Sequence, residues 1–140
     1  MFAKPSEFAG ASYFAPKNHM TSLALLIEPK TIERNVPSTY NNQTRNRDEV
    51  LADISVFENQ AALDSATPTQ VMKNTKIVHG MLTSTVEKIL GGAMVATVQK
   101  IPTQAGAGFV FRDVDAATEA KVGEYFSARS AAAEAAPSFD

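Results

Sequence analysis

The chain has 140 residues, 44% hydrophobic and 20% charged, with a formal net charge of −2, which is enough to bury the core of one ordinary domain and too apolar for a disordered chain. It has no cysteine, which excludes a disulfide framework, a thiol nucleophile and any thiolate metal site; His19 and His79 lie far apart without a carboxylate pattern, so no metal and no cofactor is expected. No apolar run approaches the roughly 20 residues of a membrane span, and residues 1–20 lack the apolar segment of a signal peptide, so the expectation is a cytoplasmic protein with no membrane partner.

Residues 1–20 scatter Phe2, Phe8, Tyr13 and Phe14 around Pro5 and Pro16 with no sustained period. They read as an arm that packs locally or on a neighbouring copy. The first strand is SLALLIE (22–28), with Leu23, Leu25 and Ile27 on one face and Pro29 ending or bending it. NVPSTYNNQTRNR (35–47) reads as a long polar loop. EVLADISVFE (49–58) sets Val50, Ala52, Ile54 and Val56 against Asp53 and Ser55, the alternation of a half-buried strand. NQAALDSATPTQ (59–70) is a second polar connection, and a short strand is expected around Lys76–Val78.

From Met81 the period becomes helical through Leu82, Val86 and Ile89, and Gly91-Gly92 stops it. AMVATVQKI (93–101) is a strand, residues 101–108 a flexible glycine loop, and FVFRD (109–113) the next strand. Asp115 caps a final helix, 116 to about 129, with Val122, Tyr125 and Phe126 as its apolar stripe.

The order predicts a mainly β (α+β) fold. Its expected form is a five-stranded OB-like Greek-key barrel with a helix between strands 3 and 4 and a C-terminal helix. The domains are an arm (1–20), the OB-like domain (21–129) and a flexible acidic tail (130–140). Residues 1–112 carry +2 and residues 113–140 carry −4, a division that fits a nucleic-acid binder whose tail meets other partners, or an ordinary soluble protein.

An OB barrel binds oligonucleotides or oligosaccharides on its strand 2–3 face and on the loops after strands 1 and 4. The first of those loops, residues 30–48, holds Lys30, Arg34, Arg45 and Arg47, with Tyr40 among them; the second, 101–108, is flanked by Lys100 and Arg112, with Gln104 at its tip and Phe109 at its exit. Cations that follow phosphates and rings on which bases stack are what single-strand binding needs. These nine residues form the candidate nucleic-acid site. Bland readings stand beside it. Phe109 and Phe111 share a strand face and suit a core, and Arg45 and Arg47, beside Asp48 and Glu49, suit a solvated ion-paired turn. His79 suits a structural role. No Walker A, dinucleotide, zinc-protease or nucleophile-elbow signature occurs, so no enzyme is expected.

The runs SLALLIEPKTIERNVPSTY, RDEVLADISVFEN, GMLTSTVEKILGGAMVATVQKI and GFVFRDVDAATEAKVGEYF resemble the small single-stranded-DNA-binding-like proteins of tailed phages that infect actinobacteria. The resemblance spans roughly residues 20–127 and includes Glu28-Pro29, Asp53 and Tyr125. The chain departs from that pattern at Gly108-Phe109, where a Pro-Trp pair is expected, and in a loop less basic than the family's. The resemblance implies an OB-like fold and non-enzymatic single-stranded DNA binding in phage DNA replication or recombination, in the host cytoplasm. The ending APSFD resembles the Pro-Phe tips of bacterial single-strand-binding proteins. That makes Phe139 and Asp140 candidate contacts for replication or recombination proteins. The aromatics of the arm, Phe2, Phe8, Tyr13 and Phe14, make it a candidate homo-oligomer contact. The rival function is a phage structural or assembly protein that uses the barrel and arm for protein contacts, favoured by low basicity and the absence of tryptophan; a carbohydrate-binding barrel is disfavoured by that same absence.

Overall fold

Alternating apolar residues curl one antiparallel sheet around a dry interior. The computed structural model describes residues 12–40, 42–104 and 106–135. Strands β1 (Ala24–Tyr40), β2 (Gln43–Phe57), β3 (Gln70–Ile77), β4 (Met94–Thr103) and β5 (Gly106–Arg112) lie in the order β3-β2-β1-β4-β5, and every neighbouring pair is antiparallel. The sheet forms a curled half-barrel. Helices α1 (Gln60–Asp64), α2 (Gly80–Val86) and α3 (Ala116–Ala135) follow β2, β3 and β5. The protein is therefore mainly β, with the expected helix between the third and fourth strands and a helix after the fifth.

The inner face buries Leu25, Ile27, Val50, Ala52, Ile54, Val56, Ile77, Ala96 and Val98, and α2 inserts Leu82 and Val86 against them. Each fully buried Leu, Ile or Val contributes about 1.5–3 kcal/mol, so this cluster drives the curl. Phe109 and Phe111 pack against the same cluster. Phe109 meets the His79 ring edge-on at 5.5 Å, and Phe111 meets Phe14 at 6.3 Å. Both phenylalanines are half-buried and pack against the core cluster, the packing expected where Phe109 and Phe111 serve the core.

A second apolar cluster lies on the outer face, where Ala24, Leu26 and Phe57 meet Ala62 and Leu63 of α1 and Val122 of α3, with Tyr125 and Phe126 packed alongside. The α3 cap forms as the sequence predicts, with Asp115 Oδ1 accepting from the Thr118 amide at 2.7 Å. Those Thr118 hydrogen bonds hold the Asp115 carboxyl below its ordinary range. Arg129 Nη1 and Nη2 donate to Glu28 Oε1 and Oε2 at 2.8 and 2.7 Å, and the guanidinium lies over Tyr125 and Phe126. The helix runs on to Ala135, past the predicted end near 129 and into the segment read as tail. A cleft of about 580 Å³ remains beside its first half, lined by Leu26, Met94, Val122 and Phe126 with Asp113 and Glu119.

Both predicted loops are strands. The β1–β2 ladder continues through Val36↔Arg47 and Ser38↔Arg45 to Tyr40↔Gln43, and Asn42 beside the turn takes φ +62°, a left-handed conformation that asparagine tolerates. Pro29 bends β1 instead of ending it, because the register shifts between Pro29 and Thr31 and again between Glu33 and Val36, and a bulge accommodates a residue without an N–H. A ribbon that extends beyond the core buries neither face, so it shows no alternation to read. The 101–108 loop is likewise a hairpin, paired at Ile101↔Gly108, Pro102↔Ala107 and Thr103↔Gly106. Gly106 sits at φ +122°, and a Cβ at Gly108 would come within 3.0 Å of Met81 Sδ and Thr103 Cγ2. These glycines serve a turn and a close approach. Leu23 is 39% exposed and precedes β1 instead of sharing the face of Leu25 and Ile27. Residues 60–64 of the second connection form α1, whose cap is Asn59 accepting from the Ala62 amide.

The described part of the N-terminal arm packs locally, as a strap. Phe14 N donates to Lys76 O and Lys76 N to Ser12 O, both at 2.8 Å, which lays residues 12–14 parallel to β3 along its outer edge. Phe14 is 1% exposed, stacks on His19 at 5.2 Å and reaches Phe111 of β5. Strands β3 and β5 are the two ends of the sheet, so the strap bridges its open seam. Phe2, Phe8, Phe139 and Asp140 lie outside the described residues.

Candidate nucleic-acid interface

The strand 2–3 face of the half-barrel carries charge in small linked groups. Lys30, in the β1 bulge, lies 3.1 Å from Asp53 Oδ2 and donates to Asn74 Oδ1 at 3.0 Å, and Lys73 lies 3.5 Å from the same carboxylate. Asp53 Oδ1 also accepts from the Asn74 amide at 2.9 Å. Burial works to raise the Asp53 pKa, but the Asn74 amide and the two lysines outweigh it and hold the carboxyl below its usual range. Further along β2, Glu49 is 4% exposed and grips two cations: Lys76 Nζ at 3.0 Å and Arg47 Nε at 3.2 Å. The hydrogen bond to Glu49 raises the Lys76 pKa. Tyr13 of the strap completes the group, with Arg47 Cζ at 5.6 Å and Lys76 Nζ at 6.0 Å from its ring centre.

Arg45, two residues from Arg47 along β2, is exposed at the distal end of the hairpin, where it lines a recess of about 450 Å³ with Ser38, Gln43 and Asn46. Among the described residues it has no ion-pair partner. Tyr40 pairs with Gln43 at the end of that ladder. Arg34 is committed elsewhere, with its Nη1 at 2.9 Å from Asp48 and 2.7 Å from Glu87 beyond α2. The Asn35 amide, followed by the Arg34 guanidinium, holds the Asp48 carboxyl below its ordinary range.

The candidate residues therefore divide. Lys30, Arg45 and Arg47 share one surface; Arg34 is tied to two carboxylates; and Lys100, Gln104 and Arg112 lie across β1, on the β4–β5 hairpin. Arg112 Nε donates to Gln99 Oε1 at 2.8 Å, so it holds its own hairpin. Sequence reasoning missed Tyr13, Lys73 and Lys76. Three residues apart, the two lysines would face opposite ways in a regular strand. Asn74, at φ +52° in the bulge opposite Asp53, returns them to one side. With Lys30, Arg45 and Arg47 they make five cations against Asp53, Glu49 and Glu33, which faces Glu49 across the ladder.

Among the described residues no cluster of His, Asp or Glu is placed to hold a metal ion, and no helix is long and apolar enough to cross a membrane. Comparison with family models, with curated proteins and with solved structures returned no match to this chain.

Proposed function

We propose that the protein binds single-stranded DNA, without catalysis, across the outer face of β1, β2 and β3. The order β3-β2-β1-β4-β5, with a helix between β3 and β4, is consistent with an OB-like barrel open between its third and fifth strands, and OB barrels bind oligonucleotides on their strand 2–3 face. One observation carries the reading: Lys30, Lys73, Arg47 and Lys76 line that face, each fixed by a carboxylate beneath it. Anchored cations follow a phosphate chain without first being ordered, which lowers the entropy lost on binding. The resemblance to phage single-strand-binding-like proteins supports a place in DNA replication or recombination. Because the carboxylates offset part of the charge, the binding expected is modest. That same offset favours the rival reading, an assembly protein working through protein contacts.

Anisotropy of labelled oligo-dT across a salt series decides between them. Affinity should fall steeply as salt rises, and Lys73→Ala and Arg45→Ala should each flatten the logarithmic slope by about 0.7, the single-strand value. Absence of binding at about 50 mM salt, where phosphate contacts are strong, would overturn the reading and leave the assembly role.

A further inference from the structure

The strap across the open seam presents one ring to the proposed DNA face. Residues 12 to 14 alternate like a strand: Phe14 turns inward at 1% exposure, while Tyr13 turns outward and stays 53% exposed. The strap backbone is pinned to Lys76 by two hydrogen bonds of 2.8 Å, so the ring stands on a fixed base beside β3. Arg47 and Lys76 approach it at 5.6 and 6.0 Å, and the carboxylate of Glu49 holds both cations. Both cations are tethered to that one carboxylate, and the tyrosine remains about half exposed, so part of its surface is open to a flat guest.

We propose that Tyr13 is the platform on which one base of the bound strand stacks, with Arg47 and Lys76 taking the phosphates on either side of that nucleotide. This rests on the single-strand-binding reading given above and assigns its central contact. An exposed ring with two cations beside it suits the guest chemically, because a nucleotide offers a π-face and a phosphate a few ångströms apart. The ordinary alternative is a tyrosine that shields the methylene stem of Lys76 at a sheet edge. That role would leave its substitution without effect on binding.

The chain contains no tryptophan, so Tyr13→Trp introduces a single indole reporter at the platform. Titrated with unlabelled oligo-dT, its emission should be quenched, with the same Kd that anisotropy gives for the wild type. Tyr13→Ala should weaken binding by roughly 5- to 150-fold, the range expected for one stacked base, without changing the salt slope. Tyr13→Phe should stay within about twofold of wild type, since the ring face is kept, and Arg47→Gln should flatten the slope. Melting of each variant alongside checks that the exposed site leaves the fold intact. Wild-type affinity in Tyr13→Ala together with unquenched emission from Tyr13→Trp would overturn the platform and leave the binding face standing. Failure of the wild-type chain to bind any oligo-dT would overturn the underlying reading, and the platform with it.

Discussion

The outer side of one sheet is finished in two ways. Over the start of β1, the end of β2 and β4 it is apolar and roofed: Leu26, Phe57 and Val95 lie in the cluster closed by α1 and α3, and the charge present, Glu28, is closed off by a two-pronged bond to Arg129. Over β3 and the rest of β1 and β2 it is bare and charged, and each buried or half-buried carboxylate holds two lysines or an arginine and a lysine. Both halves satisfy the rule that charge leaves water only with a partner. They differ in what the partner does afterwards. In the roofed half the ion pair fastens a helix, so its energy goes into the fold. In the bare half it fixes cations at the surface, where a polyanion can reach them. Desolvation of the two buried carboxylates offsets much of what their ion pairs contribute, which makes the second arrangement an unpromising fold device and a reasonable binding one.

Three measurements test that contrast. The largest effect belongs to the roofed half. Phe57 is fully buried and meets Tyr125 edge-on at 5.6 Å, and Phe57→Ala should destabilise by about 3–5 kcal/mol, read by chemical denaturation. Its oligo-dT affinity, measured where the variant is still folded, should match wild type. A specific loss of binding there would place DNA on the roofed half instead.

The next effect concerns the β4–β5 turn, the rival position for a DNA contact. Gly106→Ala with Gly108→Ala should lower Tm by several degrees, since Gly106 needs a positive φ and Gly108 has two neighbours at 3.0 Å, and an incompatible alanine costs about 1 kcal/mol or more. Affinity below the transition should be unchanged. Reduced affinity in a fully folded double variant would move the interface from the bare half to this turn.

The smallest effect is pH dependence at the strap. Burial lowers the His19 pKa against the opposing pull of Glu58, and burial followed by Arg47 lowers that of His79. The unfolded chain then binds more protons near and below about pH 6.5, so stability is full above that value and falls as the solution is acidified through it. Denaturation midpoints at successive pH values should show the decline, and His19→Phe, which keeps a ring against Phe14, should reduce it. Asp53 of the bare half and Asp48 beside Arg34 add their own loss only at lower pH, because both carboxyls are held below the usual range. An unchanged decline in His19→Phe would assign it to His79.

What was legible in the sequence was what the core imposed. Val50, Ala52, Ile54 and Val56 alternate because one side of β2 is dry, and Val122, Tyr125 and Phe126 recur helically because one side of α3 is. The Asp115 cap is equally local. The distal hairpin was illegible because neither of its faces is buried, leaving Asn41-Asn42 as the sole turn signal in a polar run. Site residues were read from loops that do not exist. Lys30, Arg45 and Arg47 do share one surface, but Lys73 and Lys76 are aligned only by the Asn74 bulge, and Tyr13 arrives from a segment 63 residues away from its neighbour. Bulges and distant edge pairings leave no period in a sequence.

The strap has a consequence for how the chain is made. Ser12 O accepts from Thr75 Oγ1 across 63 positions, and Phe14 meets Phe111 as well, so the strap is synthesised well before the strands on which it docks. Closing so long a loop is slow relative to local hairpins. Until it closes, β3 offers a row of unpaired amides and carbonyls to any passing strand. Docking of the strap covers the Thr75–Lys76 end of that edge, the part beside the seam, with three hydrogen bonds.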